Sequence, residues 1–519
     1  MMVDQGRDKE SGDEGFAELL AEDESQTPYQ RLRAAKKGAA SPLWMNDLHH
    51  AGTSKEALKE QHGVLYALFL AHIFFAPLAL GGVLPWTQNL FAIGLLVLLL
   101  VWWILQYGKP LFWQQAIRRN ALAVTLVSLW LVAPVASSMP IPATLLAIIS
   151  PAAYELRLFT GQSGLLPHSL APHQTLENGL MWLTFLSCFW LTLVLVTSRK
   201  RLRILFYCLV MTAALQSILS LLIIPTLQTF LENGENHFEL FGTFTNYNHF
   251  YGFLILALPI PCGLLIALIR SQSGIRTKPT TFQNLLELFH GKLGPLSFVI
   301  VIIALSFFAI PSKIATISIA IPLFLLFLAT LLRSYRSTRE RQLLPLLLIF
   351  FIAGLSWVSI KTITAPEMTE KINTIETVSQ WPVVKKKIFD YIRTGSGGGS
   401  HTTVFSLYHQ NEEFSHLKQA DILNIINDYG ILGLLFWLTG ALYCLVLIFM
   451  GFLKRQDALM RGALFASLAS LTGILIFSTM SYSLFTLVNG MIFYTLLGVG
   501  LVSLNLPNRL KRNRSHRKN

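Results

Sequence analysis

The sequence predicts an all-α polytopic membrane protein of about twelve transmembrane helices, with both termini cytoplasmic and one large extracytoplasmic loop containing short helices. Three observations predict it. Hydrophobic residues fill 53% of the 519 positions and charged residues only 13%, against about 25% charged in soluble domains. Apolar runs of about 20 residues, enough to cross a bilayer as helix, recur along the chain. The basic residues between those runs gather on alternate loops.

The elements follow in order. The first 63 residues are polar and mixed in charge, and the stretch DKESGDEGFAELLAEDESQ has too little apolar surface to fold alone. They are read as a cytoplasmic, largely disordered tail, without the pattern of a signal peptide. A transmembrane domain over 64–505 follows, then a basic cytoplasmic tail over 506–519. Its predicted spans are 64–84, 89–107, 120–138, 178–197, 204–225, 246–269, 295–312, 314–332, 343–362, 431–453, 462–481 and 485–505. Cys188, Cys208, Cys262 and Cys444 all fall inside apolar runs, so neither a disulfide nor a metal site is expected of them.

Charge sets the expected orientation. One set of loops holds Lys109, Arg118 and Arg119; Arg199, Lys200, Arg201 and Arg203; Arg270, Arg276, Lys278 and Lys292. The same side continues with Arg333, Arg336, Arg339 and Arg341, then Lys454, Arg455 and Arg461. The positive-inside rule places this side in the cytoplasm. Residues 139–177, 226–245 and 363–430 then face outward. The net charge of +13 is therefore a topology signal and not a nucleic-acid footprint.

Four polar motifs lie on the outward side. Gly395-Ser396-Gly397-Gly398-Gly399-Ser400 allows positive φ and close backbone approach, suited to an anion cradle or to a flexible linker. Arg393 before it and Val404–Tyr408 after it favour the cradle. Leu417, Leu423 and Ile426 recur at helical spacing, predicting a short amphipathic helix before span ten with Gln419 and Asp421 near its start. Phe241-Gly242-Thr243-Phe244-Thr245-Asn246-Tyr247-Asn248-His249 leads into span six. Thr245 or Asn246 suits an N-cap there, which leaves Asn248 and His249 wanting partners or a wet cavity. Ser312-Lys313 sets one of few outward bases between spans seven and eight, with Arg157 in the first outer loop a weaker candidate. Such a charge either snorkels to the interface or binds an anionic ligand.

The order of these motifs resembles that of the O-antigen ligase and O-antigen polymerase superfamily of bacterial inner-membrane glycosyltransferases. The resemblance covers about 165–445. It includes Ser169-Leu170-Ala171-Pro172 with Thr175, which is similar to a Ser-Leu-x-Pro-x-x-Thr stretch before a span in many members, and the Asp428-Tyr429-Gly430-Ile431-Leu432-Gly433 exit of the long loop. The resemblance implies a glycosyltransferase of lipopolysaccharide or surface-polysaccharide biosynthesis acting at the periplasmic face without metal, nucleotide sugar or other cofactor. The donor is a glycan on undecaprenyl diphosphate. The acceptor is lipid A core, a second lipid-linked glycan or a protein hydroxyl.

On that resemblance Lys313 takes the place of the family's arginine beside the diphosphate, losing the bidentate fork but keeping the charge. Gly395, Gly397 and Gly399 match the family's loop glycines and Asn246 and Asn248 its cavity-shaping Asn pair; from their own places in the loop, Arg393 joins the diphosphate site and Gln419 the cavity. Many members place His-x-His-Asn before the loop's exit glycine. Here Leu417, Gln419 and Ala420 stand there, with His416 one place out of register. His416 or Asp421 then acts as base, or orientation suffices without one, or the chain is an inactive scaffold. The rival class is a transporter of lipid-linked glycan, which should place ionisable groups at mid-membrane. Here the span centres are nearly free of charge, and the polar residues collect on one side in a loop.

Overall fold

Proline and glycine set the joints of the structure. The computed structural model describes residues 62–107, 115–231, 241–272, 293–309, 312–333, 356, 360, 384–408 and 420–507. In chain order the first helices are α1 (His62–Leu78), α2 (Pro85–Gln106), α3 (Gln115–Arg119), α4 (Ala121–Leu129) and α5 (Val132–Ser138). A two-stranded antiparallel hairpin, β1 (Pro140–Pro142) with β2 (Leu165–Pro167), encloses α6 (Ala143–Ile149) and α7 (Pro151–Phe159). Next come α8 (Pro172–Leu195), α9 (Arg199–Leu231), α10 (Tyr247–Ala257), α11 (Pro259–Gln272), α12 (Gly294–Ala309) and α13 (Lys313–Arg333). Last are α14 (384–390), α15 (His401–Phe405), α16 (Asp421–Lys454), α17 (Ala458–Phe477) and α18 (Leu487–Asn505).

Among the described residues nine helical segments are long and apolar enough to cross a membrane, and α1 and α12 are shorter apolar helices. The chain is an all-α multi-pass membrane protein. Of the twelve expected spans, 343–362 lies almost wholly outside the described residues. The other eleven each overlap helix among the described residues, nine of those segments long enough to cross and two shorter, and the differences in their bounds have local causes. Leu80, Gly81 and Gly82 all take positive φ, so α1 stops by Leu78 and the first span is shorter than 64–84. Pro85 and Pro172 sit in the first turns of α2 and α8, where a missing N–H costs nothing, so both helices start earlier than expected. The third span breaks near Trp130 and the sixth before Pro259, since proline cannot continue the hydrogen-bond ladder from within a helix.

α17 lies at the centre, against α11, α13 and α18, and α8 packs along α18 and α2. Gly263 of α11 and Gly462 of α17 bring the two backbones so close that a Cβ on either would strike the other's carbonyl. Small residues at such crossings let helices associate where lipid supplies no hydrophobic drive. On α2, Leu90, Ile93, Val97, Leu100 and Ile104 recur every three or four residues and are exposed. Such a stripe fits a lipid-facing surface.

Two polar ends bound this apolar body. At the basic end Arg199 grips Asp457 with two hydrogen bonds of 2.6 and 2.9 Å, and Asp457 also caps α17 through the Leu459 and Met460 N–H groups. The Tyr66 hydroxyl bonds to the Arg201 carbonyl at the same end. The opposite end carries the hairpin, α6, α7, α14, α15 and the start of α16, with a satellite core of Leu146, Ala153, Leu166, Tyr391 and Val404.

Candidate functional site

The glycine-rich segment is built into the start of α16. Gly430 has φ 70° and ψ −176° and interrupts that helix, so the expected short helix before span ten is residues 421–429. An interrupted helix leaves N–H and C=O groups without partners on both sides of the break. Segment 392–397 takes them up. Ile431 N–H donates to the Ile392 carbonyl at 2.8 Å and Leu432 N–H to the Arg393 carbonyl at 3.3 Å. Ser396 and Gly397 N–H groups donate to the Asn427 and Asp428 carbonyls, each at 2.9 Å. A Cβ at Gly430 would collide with the Arg393 carbonyl, and one at Gly395 with Asp428.

The other face of the same segment docks on residues 168–178. Leu170 N–H donates to the Ser396 carbonyl at 2.9 Å, Thr175 Oγ1 donates to the Gly398 carbonyl at 2.9 Å, and His168 Nε2 meets Thr394 Oγ1 at 2.8 Å. Ser169 and Thr175 hydroxyls bond to each other at 2.7 Å. Gly397 has φ 108°, and a Cβ there would lie 2.6 Å from Ser169 Cβ and 2.9 Å from Thr175 Oγ1. The Ser-Leu-Ala-Pro stretch and the glycine cluster, far apart in sequence, are therefore two halves of one joint.

The N–H groups of Gly395, Gly397 and Gly399, expected to cradle an anion, are directed at protein acceptors. Gly395 N–H goes to the Tyr391 carbonyl, Gly397 N–H to the Asp428 carbonyl, and Gly399 N–H to Asp428 Oδ2 at 2.9 Å. The glycines serve close packing, and their N–H groups already have protein acceptors. Arg157 is held in the same way. Its buried guanidinium donates to Gln162 Oε1 and to the Ser169 carbonyl, and burial pulls its pKa below the usual value.

Beneath the joint lies a cavity of about 190 Å³. Met181, Trp182, Phe185 and Phe485 form its apolar wall. Asn178, His401, Asn424, Asp428 and Tyr482 supply polar groups, and Gly399, Ile425 and Tyr429 complete the lining. Asn178 Oδ1 accepts from both the Tyr429 hydroxyl and Trp182 Nε1 at 2.8 Å, fixing both rings. Lys387 is 1% exposed, with Nζ 3.2 Å from His401 Nδ1. Burial pulls its pKa down, against the opposing pull of the Asp428 carboxylate. Burial, then the charges of Asp421 and Asp428, push the Tyr482 phenol up, so it keeps its proton at neutral pH.

The other sequence candidates distribute as follows. Asp421 is 0% exposed and does not line the cavity. Its carboxylate accepts from the Ser483, Leu484 and Phe485 N–H groups at 2.8, 2.8 and 3.3 Å, which ties the start of α16 to the turn before α18. Asn246 is exposed and caps α10 by accepting from the Asn248 N–H at 2.8 Å. Asn248 is half-buried, and neither asparagine lines the cavity. His249 is buried with its ring 5.7 Å from Tyr482, so it backs the cavity wall. The Phe241–Phe244 turn is clamped by Gln216, which accepts from Thr243 N–H at 3.0 Å and donates to Thr243 Oγ1 at 2.8 Å. Lys313 and Arg393 are exposed at the same end of the bundle, outside the cavity lining. His416 and Gln419 lie outside the described residues.

Asn178, Lys387, His401, Asp428 and Tyr482 were not candidates from sequence. Lys387 carried a signal: Val384, Lys387 and Tyr391 are all buried at helical spacing, so this lysine alone among three falls on the inner face of α14. Comparison of the chain with protein-family models finds no match, and comparison with curated proteins finds none.

Proposed function

We propose that the chain is a membrane glycosyltransferase of the O-antigen ligase type, moving a glycan from a polyprenyl-diphosphate carrier to an acceptor hydroxyl. The observation that favours this reading is the cavity, which joins an aromatic wall to a polar one at the end of an apolar bundle. A lipid-linked sugar needs both surfaces within one reach. The distribution of Arg and Lys supports a cytoplasmic basic end and a cavity on the opposite face, which is the periplasmic face of a bacterial inner membrane on this proposal. A diphosphate is a good leaving group once its developing charge is met by cations. Lys313 and Arg393 are the exposed cations proposed for that task, with undecaprenyl diphosphate as the carrier and lipid A core, a second lipid-linked glycan or a protein as acceptor.

The test is deletion followed by a surface-glycan gel. Loss of all polymer from lipid A marks a ligase, a single-repeat band a polymerase, and an unchanged ladder with loss of a glycoprotein a protein glycosyltransferase. No change in any glycan would refute the reading. Lys313→Ala and Arg393→Ala should each reproduce the deletion while the protein still inserts, and full activity in both would remove them from the diphosphate site.

A further inference from the structure

We propose that Asp428 is the catalytic base of this chain, taking the proton of the acceptor hydroxyl inside the cavity; this rests on the glycan-transfer reading. Asp428 uses its two carboxylate oxygens differently. Oδ2 holds the Gly399 N–H at 2.9 Å, which fixes the side chain under the glycine joint. Oδ1 is buried and accepts no hydrogen bond from any described residue. A carboxylate oxygen left in that state is costly, because its desolvation is not repaid by a donor, and the more so when it is charged. Such groups persist where a ligand or reaction uses them.

The surroundings fit a hydroxyl-bearing ligand. The cavity of about 190 Å³ that Asp428 lines has room for about six waters at roughly 30 Å³ each, enough for part of a sugar ring. Asn424 and Tyr482 line the same space. Burial pushes the Asp428 carboxyl pKa up, and the Gly399 N–H and the charge of the buried Lys387 oppose that rise. Asp421, the other acidic side chain at this end of α16, has its carboxylate engaged by three backbone N–H groups of the turn before α18. It is a positioning group for that turn.

The step balances. The acceptor oxygen forms a bond to the anomeric carbon as its proton passes to Asp428 Oδ1. The bond from that carbon to the diphosphate oxygen breaks, and its electron pair leaves with the polyprenyl diphosphate. Asp428 then returns its proton to solvent. No metal or redox partner enters this sequence.

The test is a pulse-chase in the organism that makes the protein, with the host's own labelled glycan as probe. The rate at which label leaves the polyprenyl-diphosphate fraction is compared in wild type, a deletion strain, and strains carrying Asp428→Asn or Asp428→Glu. The amide of Asp428→Asn still accepts from Gly399 but is no base. We expect it to slow the chase about 100-fold or more, the lower range for loss of a general base, at unchanged protein level and melting temperature, with partial recovery in Asp428→Glu. If deletion leaves the chase unaltered, the glycan-transfer reading falls and the base with it. If deletion stops the chase but Asp428→Asn runs within threefold of wild type, the reading stands and the Asp428 assignment is overturned. A slow Asp428→Asn protein that also melts early would place Asp428 in the structure and overturn it equally.

Discussion

Replacing Gly397 by alanine separates packing from backbone strain in the glycine joint. Gly397 has φ 108°, and a non-glycine residue at positive φ costs about 1–2 kcal/mol. A Cβ there would also lie 2.6 Å from Ser169 Cβ and 2.9 Å from Thr175 Oγ1. Overpacking of that kind adds about 1–3 kcal/mol, giving a total of about 2–5 kcal/mol. Gly161 is the control, with φ 73° and nothing within 4 Å of an added Cβ. Gly161→Ala should therefore cost only the strain of about 1–2 kcal/mol. Thermal unfolding of the full chain in detergent reads both. Ser169→Gly in the Gly397→Ala background should recover part of the loss, because it removes the colliding side chain. Equal destabilisation by the two alanines, with no recovery in the double variant, would refute the docking of the glycine segment on residues 168–178.

The other expectations address charge and orientation. Burial, helped by Arg157, holds His168 down at about 4 from its ordinary 6.5. A lowered histidine pKa stabilises the fold fully above about 6.5, and that stability drains as pH falls towards 4; the full shift is worth at most about 3 kcal/mol. Melting temperature against pH should fall less steeply over that window in His168→Gln, and an unchanged slope would contradict the histidine's part in the joint. At the basic end, Asp457→Ala loses the Arg199 pair and the α17 cap together and should cost about 2–4 kcal/mol. Asp457→Asn should cost less, and equal melting of all three proteins would count against the pair. A membrane-impermeant maleimide on intact cells should label Ser406→Cys and spare Lys200→Cys; the reverse pattern would invert the proposed orientation.

The apolar runs were legible because lipid demands a long hydrophobic helix and little else. The joints were less so. Nothing in the periodicity of 120–138 or 246–269 marks a break, yet Pro134 and Pro259 sit beside the interruptions. At the site, the glycine cluster announced a close backbone approach but not to what. Positive φ and a missing Cβ look the same in sequence whether the neighbour is a phosphate or, as here, Asp428 and Ser169. An N-cap at Thr245 or Asn246 was legible from residue type and place, and the structure uses Asn246. Asp428 was visible as part of Asp-Tyr-Gly, but its contact with a cavity depends on the Gly430 break and on hydrogen bonds from residues 392–397. Those are tertiary facts, and no local pattern encodes them.

The proposed entry of a polyprenyl-diphosphate-linked glycan into the cavity is decided by a photo-crosslinking residue placed at Met181, on the cavity wall, with Leu122, an exposed position on α4, as the control. After irradiation in cells, intact-mass analysis should find an adduct of polyprenyl-diphosphate glycan on the Met181 variant and none on the Leu122 variant. Ordinary phospholipid adducts alone at both positions would contradict the account.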